Sequence, residues 1–413
     1  VREGILNSLK IAGNTRTQES VIRRELTLKK GELITREELQ ENLNRLGRLG
    51  FFDDVSPELD PASGSLGYDI TLKVKERNTG RLSTSAGWSA TEGPLAQLSV
   101  ANDNFMGRGQ SIGASLMLSR IFDPPNRNIT TELSFMEPWL DDQRTSLGAS
   151  IYIRRFYNPF ARLDDGSIGF QDQRSGASVT MGRPLFGDPI ATPWRGFVTL
   201  KGEQASLARA DQLGNRTDLP FASLTGSGHD LGFSGAMTLQ YDTRNQAINP
   251  SSGWLLRVTG EQYVPFADLK FSKLSLEANT YLAATPFLTV ALGTRFGGMT
   301  DFFGGGIPVY QRYYSYGDYL IRGWRDAEFG GNSFALASLE GRFPIFNVIS
   351  GVVFGDTGAF WGAGNAPLQL SSLRSGYGVG MRIDTPMGVI RADYGLHRWG
   401  EAGQFSIGIG QRF

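Results

Sequence analysis

The sequence predicts a mainly β protein, a 16-stranded antiparallel β-barrel preceded by one small α+β module of βααββ order. Three observations carry this reading. Glycine supplies 53 of 413 residues, far above the roughly 7% of average usage, and aromatic residues reach 11%. Hydrophobicity alternates with period two over many short segments from about Gly80 onward. Before that point it follows helical spacing instead.

The module occupies residues 1–78. Ile5 to Ile11 is an apolar stretch closed by the turn signal Gly13-Asn14, and Val21, Ile22 and Leu26 then recur at helical intervals. Thr35 and Glu38 form a capping-box pair, in which each side chain satisfies a free backbone N–H of the other residue. Leu39, Leu43, Leu46 and Leu49 follow as one apolar stripe that Gly50 ends. Phe51 to Leu59 and Tyr68 to Glu76 read as two strands joined through Asp60-Pro61-Ala62-Ser63-Gly64.

Residues 79–413 lose the helical period. Ile112, Ala114, Leu116 and Leu118 share one face of a segment whose other face is Ser, Gly and Met; Leu147, Ala149, Ile151 and Ile153 do the same from Ser146 to Arg154. Leu274, Leu276 and Ala278 oppose Lys273, Ser275 and Glu277, and Phe405, Ile407 and Ile409 oppose Ser406, Gly408 and Gly410. About sixteen such segments fit between Arg81 and Phe413, roughly 21 residues each with its connection, where a tilted strand crosses a bilayer in 9–11. So many strands cannot close on a core of side chains, so the polar face is expected to line a wet lumen and the apolar face to meet lipid; a soluble two-sheet protein with solvated outer faces is the alternative that gives the same alternation. Trp88, Trp139, Trp194 and Trp254 fall near strand ends, as an interfacial girdle requires.

Composition excludes much else. The absence of cysteine removes disulfides, thiolate metal sites and thiol nucleophiles, and only His229 and His397 could serve a histidine site. Lys and Arg number 41, as do Asp and Glu, so the basic excess of a nucleic-acid binder is missing. No run of 18 apolar residues marks a spanning helix. Asp301 has no second carboxylate until Asp318, while Asp384 and Asp393 each lie two residues from an arginine, Arg382 and Arg391, which suits a neutralised network better than a glycosidase pair. No nucleophile elbow, P-loop or dinucleotide fingerprint occurs. No catalytic residues, metal or cofactor are expected.

The most distinctive segment is the long connection at about 299–332. It contains Gly304-Gly305-Gly306, the tyrosines 310, 313, 314, 316 and 319, and Leu320-Ile321-Arg322-Gly323-Trp324-Arg325. Such a loop can fold inward, bury its rings against the wall and offer a guanidinium to a carboxylate in bidentate geometry.

Ile321-Arg322-Gly323-Trp324 resembles the Val-Arg-Gly-Phe/Tyr tip of the sixth extracellular loop in the polypeptide-transporting outer-membrane barrel superfamily, which includes the BamA insertase, the chloroplast outer-envelope translocon channel and two-partner secretion transporters. Phe354-Gly355-Asp356-Thr357-Gly358 matches its Phe-x-Asp-x-Gly strand motif. Tyr241-Asp242-Thr243-Arg244 with Asn249-Pro250 and Gly253-Trp254, and Asp384-Thr385-Pro386 through Arg391-Ala392-Asp393-Tyr394-Gly395, are similar to recurring family segments. Gly13-Asn14, Leu49-Gly50-Phe51-Phe52 and Val55 resemble the polypeptide-transport-associated (POTRA) module.

The resemblance implies a periplasmic POTRA domain feeding an outer-membrane barrel, in a Gram-negative-type bacterium or a plastid envelope. In the lumen, Arg322, Gly323 and Trp324 would latch onto Asp356, with Glu340 and Asp384 as second partners. Phe413, with Ser406 and Gly408 before it, is similar to a C-terminal assembly signal, from which Gln411 departs. A seam between the first strand (about Arg81–Ala90) and the last (Gly403–Phe413), loosened by Gly395, Gly400, Gly403, Gly408 and Gly410, would open to offer an edge to a client strand. The POTRA strand Tyr68–Glu76 would present its edge likewise. Implied partners are unfolded outer-membrane or secreted polypeptides, outer-membrane lipid and accessory assembly subunits, with no nucleic acid. An assembly factor that inserts β-barrel clients or translocates polypeptides is the expectation; a two-partner exporter and a passive porin are the alternatives, and a POTRA module has no role in passive diffusion. The sequence opens directly on the first POTRA strand, so upstream modules are expected to be missing.

Overall fold

A computed structural model describes residues 4–62, 67–89, 93–162, 168–210, 216–315, 317–324, 329–362, 367–385 and 388–413. Ser63 and Gly64 of the expected turn, Ala90, Tyr316, Arg325 and Pro386 lie outside them, as do the side chains of Trp88 and Asp318. The chain divides into two compact units, the first taking in Val1–Ser83 with Ser99–Ala114 and Leu133–Pro138.

Within that first unit the module runs β1 (Gly4–Ala12), α1 (Glu19–Arg23), β2 (Leu33–Ile34), α2 (Arg36–Arg48), β3 (Phe52–Pro61) and β4 (Gly67–Glu76). The Thr35 hydroxyl accepts the Glu38 N–H at 3.1 Å, so the helix starts where the capping residues place it. Leu39 and Leu46 point from α2 into a core of Leu6, Val21, Ile22, Ile70 and Leu72. The sheet order is β2-β1-β4-β3, with β1 and β4 parallel and β3 antiparallel to β4. Two expectations change here. A two-residue strand, β2, joins the predicted set, and Tyr68–Glu76 lies inside the sheet rather than at its edge. The long free edge is β3, where Pro57 and Pro61 sit as an edge strand tolerates.

Glu76, at the end of β4, collects the N–H groups of Thr15, Arg16 and Thr17 at 3.0, 2.9 and 2.6 Å. That loop also meets the turn after Phe105: Asn104 Nδ2 donates to Thr17 Oγ1 at 2.9 Å and the Gln18 N–H to the Gly107 carbonyl at 2.8 Å. Gly107 has φ +69°, and a Cβ there would stand 1.9 Å from the Arg16 carbonyl oxygen.

The closed sheet comprises β5 (Gly80–Ser89), β6 (Gly93–Phe105), β7 (Gln110–Ser119), β8 (Asn128–Glu137), β9 (Ser146–Arg162), β10 (Ile168–Pro184), β11 (Trp194–Ala210), β12 (Arg216–Asp218), β13 (His229–Asp242), β14 (Gly253–Tyr263), β15 (Ser272–Thr285), β16 (Leu288–Thr300), β19 (Ser333–Phe346), β20 (Ile349–Trp361), β21 (Arg374–Thr385), β22 (Gly388–Leu396) and β23 (Gln404–Ile409). Neighbours in sequence pair around the cylinder until β23 meets β5. Because β12 only folds against the outer end of β11 while β11 pairs directly with β13, sixteen strands span it. Two further strands, β17 (Tyr313–Tyr314) and β18 (Gly330–Gly331), pair with each other inside the long loop.

Alternation sorts the faces as expected. Val258, Leu276 and Phe296 are register neighbours on β14, β15 and β16 and all are exposed, whereas the adjoining row of Arg257, Glu277 and Arg295 forms ion pairs of 3.0 and 3.5 Å. Ile112 and Ile151 are likewise exposed. Ile407 pairs with Ala392, one step from the Asp393–Ser406 pair that faces inward. No helix among the described residues is long and apolar enough to cross a membrane; a β-barrel crosses with strands.

Candidate functional site

Thr300 ends β16 and Ser333 begins β19, and the described residues of the connection between them are held by their own side chains. Asp301 accepts the Gly305 and Gly306 N–H groups at 3.0 and 2.6 Å, which fixes the glycine turn. Tyr313 and Tyr319 meet Phe334 edge-on, each at 4.7 Å, and Ile321 is buried with Phe334 and Phe360. These apolar contacts carry the loop tip into the lumen.

There Arg322 is 2% exposed. Its Nε and Nη2 donate to the two oxygens of Asp356, each at 2.7 Å, and its own backbone N–H donates to the same carboxylate at 3.1 Å. Nη1 reaches Glu340 at 2.7 Å and Asp393 at 3.4 Å, Nη2 reaches Ser338 at 3.1 Å, and the guanidinium lies 3.5 Å from the Phe354 ring centroid. The register explains the convergence: Ser338 is paired with Asp356, Glu340 with Phe354, and Asp393 with Gly380 one strand further on. Strands two residues out of step would scatter these groups over about 7 Å.

Each carboxylate has further partners. Arg342 donates to Glu340 at 2.9 Å and Arg382 to Asp393 at 2.6 Å, so three acids interleave with arginines from four chain segments once Arg412, 3.8 Å from Asp356, is included. Arg322 is paired at each of its guanidinium nitrogens, which is what makes its burial tolerable. Asp384 is not among the partners. It is exposed at the far end of β21, four residues beyond the Gly380 that faces Asp393, or about 13 Å along the strand. Arg382 accordingly pairs across to Asp393 rather than with Asp384.

Gly323 has φ +98°, and a Cβ on it would lie 2.6 Å from the Leu396 carbonyl carbon. Facing it, a Cβ on Gly376 would stand 1.9 Å from the Arg322 carbonyl oxygen, and one on Gly395 would stand 2.5 Å from the Gly323 nitrogen. The three glycines let the loop backbone touch those of β21 and β22. Trp324 donates its indole N–H to the Ser375 carbonyl at 2.9 Å and packs on His397 at 4.6 Å. Gly395 therefore is a close-approach site and not the loose packer expected from its sequence position. Gly403 and Gly408 are also tight, against Tyr394 and the Arg391 guanidinium; Gly400 and Gly410 are open, positive-φ turns.

The last strand is shorter than expected. Gly410 turns the chain, and Gln411 to Phe413 leave β23 for the lumen. Gln411 donates to Asn249 at 3.0 Å, Arg412 donates to the Leu320 carbonyl, and the Phe413 ring lies 6.4 Å from that of Tyr281, over Gly293. Ser406 pairs with Asp393 and Gly408 with Arg391, so these two remain on the seam strand while Phe413 does not. Asp393, Ser338 and Arg412 are site residues that the sequence reading did not assign. For Asp393 a signal existed in the Arg391-Ala392-Asp393-Tyr394-Gly395 segment; for Ser338 only cross-strand register supplies it, and for Arg412 only the turn at Gly410 that carries the chain out of β23.

Among the described residues no group of three or more His, Cys, Asp or Glu could hold a metal. Comparison with known proteins agrees with the geometry. The Omp85 superfamily domain matches residues 104–413, and the POTRA model, described as a surface antigen variable number repeat, matches residues 5–77. Outer envelope protein 80 of Arabidopsis thaliana chloroplasts is 27% identical over 96% of this chain and 54% of its own length. The outer membrane protein assembly factor BamA of Neisseria meningitidis serogroup B is 25% identical over 87% of this chain and 47% of its own. The chain thus spans about half the length of these curated relatives. The crystal structure of Haemophilus ducreyi BamA lacking POTRA domains 1–3 superposes with a TM-score of 0.77 at 20% identity, covering 98% of this chain and 84% of that one.

Proposed function

The chain belongs to the Omp85 superfamily, and from that membership we propose that it is a non-catalytic assembly factor of a bacterial outer membrane or plastid outer envelope, which receives unfolded polypeptides and releases them as strands through its barrel wall. The POTRA strand β3 supplies a free edge on which an extended client adds by backbone hydrogen bonding. Accessory subunits would bind outside the barrel.

One observation supports the lateral route above all: the strand that closes the barrel, β23, has six residues, against nine in β22 and ten in β5. At most the six residues of β23 can pair across that seam, and lipid penalises an unpaired edge by several kcal/mol per group, so an incoming strand that adds pairing is favoured there. The lumen, by contrast, is crossed by the loop and its buried ion pairs, which obstructs an axial path and weighs against the porin reading.

The test uses the absence of native cysteine. Cysteines placed on β5 and β23 and oxidised to a disulfide should abolish assembly of a β-barrel client, and reduction should restore it. Undiminished assembly by the locked barrel would end the proposal.

A further inference from the structure

The long loop has a second attachment, distant from Arg322. Its 3-10 turn Val309–Gln311 carries Tyr310 and Gln311, 6% and 5% exposed. The Tyr310 hydroxyl donates to Asp230 of β13 at 2.7 Å, Arg174 of β10 donates to the Tyr310 carbonyl at 2.8 Å, and Lys273 of β15 donates to Gln311 Oε1 at 2.7 Å. Asp230 is fully buried and also accepts the N–H groups of Leu224 and Thr225, at 2.9 and 3.0 Å, in the connection between β11 and β13. One carboxylate therefore ties two outer loops together.

Around it lies an apolar cluster of a kind that a water-filled mouth would not contain. Phe170, Leu207, Tyr263 and Met299, inward-facing at the outer ends of four strands, pack with Leu219, Ala222 and Tyr310 from the loops, all buried. Arg174 also belongs to the lumen network: its Nε and Nη2 both donate to one oxygen of Asp172, at 2.9 and 2.7 Å, beside the pair of Lys201 with Glu261 at 2.9 Å. Three strands thus present donors and an acceptor to one turn of the loop.

We propose that Tyr310–Gln311 is a second anchor which seals the outer mouth of the barrel, separately from the Arg322 latch that holds the loop tip to β19–β22. The anchor is a positioning device: it sets where the loop lies, and release of Tyr310 from Asp230 opens the outward path while Arg322 stays in place. This inference rests on the orientation in the assembly-factor reading, with the long loops outward, but not on client insertion.

The test is client-free. Thr199, on the inward face of β11 and hydrogen-bonded to Thr180, becomes a reporter as Thr199→Cys in the otherwise cysteine-free chain, probed in intact cells with a membrane-impermeant maleimide. Labelling should be slow in the parent and rise at least tenfold in Tyr310→Ala and Asp230→Ala, with a matching rise in planar-bilayer conductance of the purified protein. Arg322→Ala should label more slowly than either. Should Tyr310→Ala fail to fold, Tyr310→Phe and Asp230→Asn remove the same hydrogen bond with little change of volume. Folded, heat-modifiable variants that stay as shielded as the parent overturn the anchor, and labelling of Arg322→Ala equal to that of Tyr310→Ala overturns its independence. Failure of the seam disulfide to block assembly would leave this result untouched.

Discussion

Arg322 and Asp356, 34 residues apart in sequence, meet through two parallel 2.7 Å contacts inside a lumen where both side chains are no more than 3% exposed. The pair is a fork on a fork, the geometry in which arginine surpasses lysine. Removing the guanidinium takes a shared partner from three buried carboxylates and, among the described residues, leaves Asp356 with no cationic group nearer than Arg412, 3.8 Å away. Arg322→Ala should therefore cost about 3–5 kcal/mol, seen as a lowered midpoint for loss of the heat-modifiable barrel band. Arg322→Lys should recover only part of it. A double-mutant cycle with Asp356→Ala should show strong coupling, and additive losses would contradict a shared network.

The glycines under the loop tip make a sharper prediction. A Cβ at Gly376 meets the Arg322 carbonyl oxygen at 1.9 Å, whereas a Cβ at Gly260, on the outer face of β14, meets nothing within 4 Å. Gly376→Ala should lower the same unfolding midpoint as Arg322→Ala does. Gly260→Ala should leave it unchanged or raise it slightly through reduced freedom of the unfolded chain. Equal effects would show that the backbone of the tip does not press on the wall.

In the POTRA module the groups around Glu76 predict a pH dependence. Partial burial pushes its carboxyl up, but the hydrogen bonds from Thr17, Thr15 and Arg16 outweigh this and hold it at about 2, against about 4.3 for a free glutamate. A depressed folded value means stabilisation that is complete above the unfolded value and disappears as pH falls through the folded one. Glu76→Gln should therefore destabilise the module at pH 7 and make little difference near pH 2, as measured by thermal unfolding of both proteins at each pH. A gap that persists at the lower pH would contradict the charge-based account.

Much of the fold was legible because its signals are local. Period-two alternation marked the strands, and Thr35 with Glu38 set the start of α2. The Arg322–Asp356 pair was legible through two short motifs that a family resemblance connects. What escaped is set by register: Asp384 and Asp393 look alike in sequence, each two residues from an arginine, and only the pairing of Gly380 with Asp393 decides which reaches the loop. The edge of the POTRA sheet escaped for a similar reason, since strand order depends on the parallel β1–β4 pairing, a long-range contact that no local pattern encodes. Gly395 was misjudged because a glycine that permits close approach and one that weakens a strand read identically until the opposing backbone is seen.

The final residues offer a test of that lumen geometry which needs no functional assay. Gly293 lies on β16, and a Cβ there would come within 2.6 Å of the Phe413 ring, while Arg342 donates to the Phe413 carbonyl at 3.3 Å and Arg295 to the Arg412 carbonyl at 3.1 Å. The ring sits on the glycine as a knob on a flat surface. Gly293→Val should displace Phe413 and lower the unfolding midpoint, and Phe413→Ala should lower it by loss of the half-buried ring. Combined, the two should be less harmful than their sum, because valine then occupies the space that the ring vacated. Strict additivity would place Phe413 away from β16, on the seam strand where its sequence position alone suggested it belonged.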